Sequence, residues 1–398
     1  MDISIKIKDT YRTGVVVLGG GMAGVSAALA AARSGANVIL VEKQCLLGGL
    51  ATLGLVTIFL PLCDGCGRQV TFGITEELLR LSISHGCEDR YPACWLENEG
   101  EEQRKKQRFE AQYNPHLFAL ELEKTLLHNG VRILYDTKLL HFSTEEERIN
   151  YAVVSRTDGV YAIEADQYID TTGELVGAAS IGAETSSNHS NMPAAWYYSL
   201  SAKEGLKLRM LGVLETADPN TKTEKLSAET FSGLCAEEND RIFSLSHRKM
   251  LEHILKMQMQ SEQPEYVPTM LPTVLQVRMS RRLSSNRILD ITDGFQSFAD
   301  SIGMISNWKK RGPIYEVPFR CLFSQRWGNL LTAGRSIDVT DEMWDLSRVI
   351  PACCLTGQAA GTAAALAGKE DIRTLVVSEL QTKLLHDGVR IHLHQLGL

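Results

Sequence analysis

The sequence predicts an α/β protein with a parallel sheet, a three-stranded meander and a second domain of α+β type. Three features predict it: a β-α-β unit at 14–42, meander-like segments at 138–143, 149–156 and 159–164, and mixed periodicity from 185 to 325. In the first unit, Gly14 to Leu18 is a short β-branched run, the pattern of a strand buried on both faces. Val25 to Arg33 is Ala-rich and reads as a helix closed by Ser34-Gly35. Asn37 to Val41 is a second buried strand, and Glu42 ends it.

The remaining elements follow in order. The N-terminus alternates Ile3, Ile5 and Ile7 with Lys6 and Lys8. The stretch from about 53 to 112 changes character, with four cysteines, a helix expected over Thr75 to His85 and a charged run from Glu97 to Arg108 that reads as a solvated face. Asn114-Pro115 starts a helix, Asn as N-cap and Pro in the first turn, and Gly130 closes it. Val131 to Tyr135 and Gln167 to Thr171 are strands, with the meander between them. Asn329 to Gly334 is a strand running into a glycine turn, and a small-residue helix follows from about Val349 to Ala367, capped by Ser347. Ser378 with Gln381 predicts a capping box for a last helix. The domain reading is 1–56, 113–184 and 326–398 for the dinucleotide-binding domain, 57–112 for a cap and 185–325 for the substrate domain.

The 398 residues are 44% hydrophobic and 22% charged, ordinary for a globular enzyme of about two domains. The formal net charge of −7 gives no footprint for nucleic acid. No segment reads as a membrane span, the nearest being Ala352 to Gly368, which is built of Ala, Gly, Thr and Cys around Gln358 and reads as a buried helix. No secretory signal is visible, and nine cysteines make an odd count. The expectation is a cytoplasmic protein with reduced thiols.

Gly19-x-Gly21-x-x-Gly24 lies between a strand and a helix, where a dinucleotide fingerprint must lie. The first glycine makes the tight turn, the second admits a pyrophosphate to the backbone, and the third lets helix and strand pack closely. The helix N-terminus offers N–H groups to the phosphates. Glu42, eighteen residues beyond Gly24, is placed to accept from a ribose hydroxyl. These residues alone admit either FAD or NAD.

Further motifs carry a resemblance. LLGGLAT at 46–52, IDTTGE at 169–174, NLLTAGR at 329–335 and RVIPACCLTGQAAGTAAALA at 348–367 resemble the FAD-dependent oxidoreductases with the glutathione-reductase type of FAD domain. More narrowly, they resemble the group with "LGGxAT", "IDATGD" and "NLLxAGR…GQAAGxAAALA" segments. Thr171 and Glu174 depart from the usual Ala and Asp. The resemblance implies a Rossmann-like FAD-binding domain with a three-stranded meander, plus an α+β substrate or cap domain. It also implies FAD contacts: Gly19, Gly21, Ala23 and Gly24 at the pyrophosphate, and Glu42 at the adenosine ribose. Leu139 falls near adenine, Gly49, Ala51 and Thr52 on the flavin side, and Thr172-Gly173 near the ribityl-diphosphate. Gly334, Arg335, Arg348 and Val349 fall near the ribityl chain and the pyrimidine end of the ring. Met22, Lys43 and Leu50 are counted with these contacts.

Arg278, Arg281 and Arg282 cluster in the run Val277 to Arg282, which also resembles a family segment. Guanidinium forks bind carboxylates or phosphates, so Arg281 and Arg282 are the candidate catalytic-site residues, holding an anionic group of a small-molecule substrate. The bland alternative is ion pairing to Asp290 or Asp293. Cys63, Cys66, Cys87 and Cys94 fall within 32 residues and admit a metal or redox pair, but inert thiols are the preferred reading and no metal is assigned. Disulfide reductases place their reactive pair just after a comparable Gly-Gly; Ala51 and Val56 stand there in this chain. His116 and His189 read as structural and loop histidines, and Tyr197-Tyr198 as packing residues. No second GxGxxG follows a strand, so the electron donor or acceptor is left open. The resulting expectation is an FAD-dependent enzyme transferring a hydride between a small molecule and FAD. The rivals are a flavin electron-transfer subunit, an FAD-containing RNA-modifying protein and an NAD dehydrogenase.

Overall fold

The computed structural model describes residues 6–212, 225–260 and 266–398. The expected alternation at Ile3 and Ile5 lies outside them. By its contacts the chain divides into two units. The first comprises the chain up to Gly48, Thr57–Ser186 and Arg282–Leu398, and the second comprises Gly49–Val56 and Ser187–Arg281.

The first unit is built on β1 (Ile7–Leu18), α1 (Met22–Arg33) and β2 (Val38–Val41). Its sheet runs Arg132–Leu134, β2, β1, Gly159–Asp170, Arg148–Arg156, Lys138–Glu145. Strands β1 and β2 pair in parallel, Val15 opposite Val38 through Leu18 opposite Val41. All eight of these residues are buried, which is why both strands read as unbroken apolar runs.

The meander and the strand after it are not separate. Gly159–Asp170 is one strand, parallel to β1 along most of its length. Its first half pairs with Arg148–Arg156, and its second half with Leu330–Thr332. The buried Asn329 side chain closes the fork, accepting from Ile149 N at 2.8 Å and donating to Ile149 O at 2.9 Å. The expected break between 164 and 167 is absent because β1 offers one continuous edge.

Helix Ile350–Ala367 meets the length and hydropathy of a membrane span, yet 78% of it is buried in the protein. It lies on α1. A Cβ on Gly357 would stand 2.2 Å from Ala23 O, and one on Gly361 2.0 Å from Ala27 O. The small-residue block is therefore a close helix–helix seam. Its N-cap is Val349 with no side-chain cap; Ser347 Oγ instead donates to Trp344 O at 3.4 Å. Helix Val377–His386 likewise lacks the expected capping box, since Gln381 Nε2 donates to Ala299 O and Ser301 O. Asn114 does cap Pro115–His128, accepting from His116 N and Leu117 N at 3.0 and 3.1 Å.

The second unit holds an antiparallel sheet ordered Gly205–Leu211, Ala195–Ser201, Val267–Met270, with helix Ala236–Gln260 packing Met250 and Ile254 on Ala195, Tyr197 and Tyr266. This division differs from the expected boundaries. Residues 57–112 and 282–325 fall in the first unit, and 49–56 in the second. The reason is long-range pairing: the Thr71 hydroxyl donates to Met304 O, and Leu289 N to Asp338 O. Gln276 Nε2 donates to Gly54 O within the second unit.

Candidate functional site

The glycine loop is shaped by close approaches. Gly19 has φ +104°, and a Cβ there would meet Thr171 O at 2.5 Å. A Cβ on Gly24 would stand 1.8 Å from Gly19 O. At Gly21 a Cβ would meet nothing within 4 Å. Gly21 is the N-cap of α1 and no side chain caps that helix, so its first-turn N–H groups remain available to an anion. Two glycines thus serve the fold, and the third faces open space.

Glu42 closes the loop from the other side. Its carboxylate is buried and accepts from Gly20 N at 2.6 Å and Gln44 N at 2.8 Å. Burial pushes its pKa above the usual carboxylate range, and the two backbone N–H groups work against that shift. Lys43 is exposed, Met22 buried. Leu139 is buried in the strand that begins beside Glu42, whose carbonyl accepts from Thr137 N at 3.0 Å.

The turn after Asp170 makes the next wall. The Thr171 hydroxyl lies 3.0 Å from Leu18 O and 2.8 Å from Gly19 O, tying this turn to the glycine loop. An alanine there would lack that tie. Asp170 is fully buried; burial raises its pKa, and it accepts from Thr172 N, Thr172 Oγ1 and Ala178 N. Gly173 has φ +85°, and Arg335 lies over it, Nε donating to Gly173 O at 3.0 Å while the guanidinium pairs with Glu174. Gly334 N donates to Thr356 Oγ1 at 2.9 Å, and a Cβ on Gly334 would meet Ala23 at 2.8 Å.

Arg348 precedes helix Ile350–Ala367, and its guanidinium pairs with Asp345, which also pairs with Lys309. The pair is buried: both side chains are about one-tenth exposed. The adjoining Cys353 Sγ donates to Arg348 O at 3.3 Å, and burial pushes its thiol up to about 12. The fold thus gathers Gly19, Gly21, Ala23, Gly24, Glu42, Thr172, Gly173, Gly334 and Arg335 within the first unit, Glu42 through Gly20, while Arg348, with Val349 next in chain, joins them through Cys353, which lies 3.4 Å from where a Cβ on Gly334 would stand. Gly49, Leu50, Ala51 and Thr52 form a short turn in the second, Thr52 N donating to Gly49 O at 3.2 Å.

Arg281 and Arg282 part company. Arg282 belongs to the first unit, where it pairs with Asp341 at 2.5 Å and lies 4.8 Å over the Trp344 ring. Neither Asp290 nor Asp293 is its partner; Asp293 pairs with Arg287. Arg281 belongs to the second unit. The buried Arg278 lies 5.6 Å over the Trp196 ring.

All nine cysteines are free thiols. Among the described residues no three His, Cys, Asp or Glu side chains gather in a way that could hold a metal. Cys63 is buried, accepts from Phe109 N, and has its thiol pKa raised by burial; Cys66 and Cys87 are exposed. His116 and His189 are exposed. Tyr197 is buried, as a packing residue should be, but its hydroxyl also bonds to Tyr266 at 2.7 Å and His253 Nδ1 at 2.8 Å. Sequence reasoning missed that network and Thr356, since neither carries a local signature; it weighed Asp345 or Glu342 as a surface partner of Arg348, and the pair with Asp345 is instead buried and shared with Lys309.

An open glycine loop at a helix N-terminus, with an acid ending the second strand, defines a fold of the dinucleotide-binding class. The chain belongs to the family described as FAD dependent oxidoreductase, which it matches over residues 14–193 and 186–384, and its cofactor is FAD. A thioredoxin reductase of Ureaplasma parvum serovar 3 is 39% identical over 70 residues. That match spans 18% of this chain and only 23% of the relative's length. Among solved structures, p-nitrophenol 4-monooxygenase PnpA of Pseudomonas putida DLL-E4 is 12% identical, with a TM-score of 0.46 over 95% of this chain and 84% of that one. THI4 of Thermovibrio ammonificans is 14% identical, with a TM-score of 0.33 over 46% and 66%. Likenesses this distant say nothing of the reaction.

Proposed function

We propose that the protein transfers a hydride between a small-molecule substrate and FAD held at the 19–42 fingerprint. The observation that carries this reading is the open face of Gly21 above an uncapped helix N-terminus, with the Glu42 carboxylate beside it. The residues fit the group: the cradle is one that a side chain at residue 21 would fill. When bound, FAD supplies the two-electron chemistry.

The chain's own residues supply position and field. The N–H groups at the start of α1 hold the pyrophosphate, and Met22, Ala23 and Lys43 flank it. Glu42 accepts from the adenosine ribose, with Leu139 against adenine. Thr172 and Gly173 border the ribityl-diphosphate. Gly49, Leu50, Ala51 and Thr52 line the flavin side. Gly334, Arg335, Arg348 and Val349 border the ribityl chain and the pyrimidine end. Arg281 holds an anionic group of the substrate, and the second unit serves as the substrate domain. The odd count of thiols favours work in the cytoplasm.

Extraction and chromatography of the cofactor test the first half of this reading. FAD is expected, and NAD alone or stoichiometric FMN would overturn it. Hydride transfer is tested by anaerobic bleaching of the flavin with substrate deuterated at the reacting carbon. A primary isotope effect on bleaching is expected, and its absence across substrates that do bleach the flavin would overturn the second half.

A further inference from the structure

The loop Trp308–Gly312 carries Lys309, Lys310 and Arg311 in succession, on a chain whose net charge is −7. The fold sets this loop against the glycine-rich turn that holds Cys63 and Cys66. Gly312 N donates to Asp64 O at 2.9 Å, and the Arg311 side chain lies across Gly65. Arg108 reaches the same place, Nη1 donating to Trp308 O at 2.6 Å. Arg68 stands on the turn itself, 3.6 Å from Asp64. Five cations therefore share one surface: Arg68, Arg108, Lys309, Lys310 and Arg311. Two carboxylates, Asp64 and Asp345, are paired with them. Lys105 also reaches this turn, against Gly67, together with its partners Glu101 and Glu102, so the local balance is +2, which leaves −9 for the rest of the chain.

The surface is preformed. Asn307 Oδ1 accepts from Lys309 N at 3.0 Å and Lys310 N at 2.9 Å, so the backbone is held with its side chains outward. Trp308 Nε1 donates to Asp345 O at 3.0 Å. Lys310 and Arg311 are exposed, and no carboxylate among the described residues pairs with either, or with Arg108. Asp345 joins the patch to the site, since it also holds Arg348 at the mouth of helix Ile350–Ala367.

We propose that this surface docks an acidic one-electron carrier protein that takes electrons from the reduced enzyme. The inference rests on the flavoenzyme reading above. Charge complementarity is the argument: an acidic chain repels acidic partners except where a local excess of cations reverses the field. The balance is two electrons, one to each of two oxidised carriers in succession, with one proton released to solvent.

The test uses the FAD-loaded full chain and an acidic [2Fe–2S] ferredoxin as probe. Binding is measured by titration calorimetry across ionic strength, and reoxidation of the reduced enzyme by stopped flow. Affinity should fall steeply with salt. Lys310→Glu/Arg311→Glu should weaken it about tenfold or more at low salt, with little difference at high salt. Lys310→Glu alone should give a smaller loss and leaves the Arg311 contact with Gly65 intact. Lys203→Glu/Lys207→Glu makes the same change in net charge elsewhere and should have little effect. Equal loss in that control, salt-independent binding or no binding at low salt would overturn the proposal. Tighter binding of inorganic polyphosphate than of ferredoxin at the same surface would also overturn it. A preparation lacking FAD would instead defeat the flavoenzyme reading, and the cofactor content of each sample tells the two failures apart.

Discussion

The Glu42 carboxylate accepts a hydrogen bond from Gly20 N at 2.6 Å, joining the end of the second strand to the middle of the glycine loop. The contact orients one carboxylate oxygen and stiffens the loop before any ligand arrives. Burial raises the pKa of this acid. In the proposed site ribose hydroxyls would donate to the ionised form, so FAD binding would favour ionised Glu42. Affinity for FAD is therefore expected to fall as pH drops through that raised pKa, above the range of ordinary carboxylates. Glu42→Gln should bind FAD more weakly at neutral pH and lose this pH dependence. Fluorescence titrations of both proteins at a series of pH values on the acid side of neutrality, within the range where both stay folded, check it.

The three fingerprint glycines should fail in different ways. Gly21→Val meets open space, so the protein is expected to fold with near-normal thermal stability and no FAD. Gly24→Val drives a side chain into Gly19 O and should destabilise the apoprotein by about 1–3 kcal/mol or more. Thermal melts of the apoproteins separate the two; equal loss of stability in both would contradict the assignment.

Gly361→Val should act on stability in the same sense, although it lies far along the chain from the loop. Its Cβ would stand 2.0 Å from Ala27 O, so helix Ile350–Ala367 would have to move off α1. A loss of about 1–3 kcal/mol is expected, with weaker FAD retention because the proposed site puts the pyrophosphate at the N-terminus of α1. Chemical denaturation with and without added FAD measures both effects.

Arg348 stands at the N-terminus of that helix, which itself carries about half a positive charge. Reduction adds negative charge at the pyrimidine end of the flavin, so in the placement proposed above both would raise the potential. Arg348→Met should remove about 1–2 kcal/mol of this stabilisation, which lowers a two-electron potential by roughly 20–45 mV. The lone Asp345 carboxylate would keep Lys309 as a partner, so the variant should still fold. An unchanged or higher potential at full FAD occupancy would show that Arg348 does not act on the flavin.

Arg281 and Arg282 should separate experimentally. Arg282→Ala loses the Asp341 pair and the contact with Trp344 and is expected to cost about 1–2 kcal/mol of stability. Arg281→Ala should instead raise KM for an anionic substrate with FAD still bound. Normal kinetics in Arg281→Ala would remove that residue from the substrate site.

The β-α-β unit, the turn at Gly19, the Asn114 cap and the buried character of helix Ile350–Ala367 were legible in the sequence. Each depends on residues close in the chain: apolar periodicity, a glycine at a positive φ, a polar cap before a proline. Burial of Val15 to Leu18 is what a short β-branched run ahead of a glycine turn suggests. The tertiary structure decided the rest. Asn329 joins the forked strand at Ile149, 180 residues away, and Gln381 leaves its expected cap for carbonyls about 80 residues off. Arg282 found Asp341 rather than a nearer acid, while Arg348 and Lys309 meet on one carboxylate. Side-chain charges and amides are long, promiscuous donors, and many partners satisfy them equally well. Only packing decides which partner is within reach, whereas strand period and turn geometry are set by steric limits that each residue carries with it.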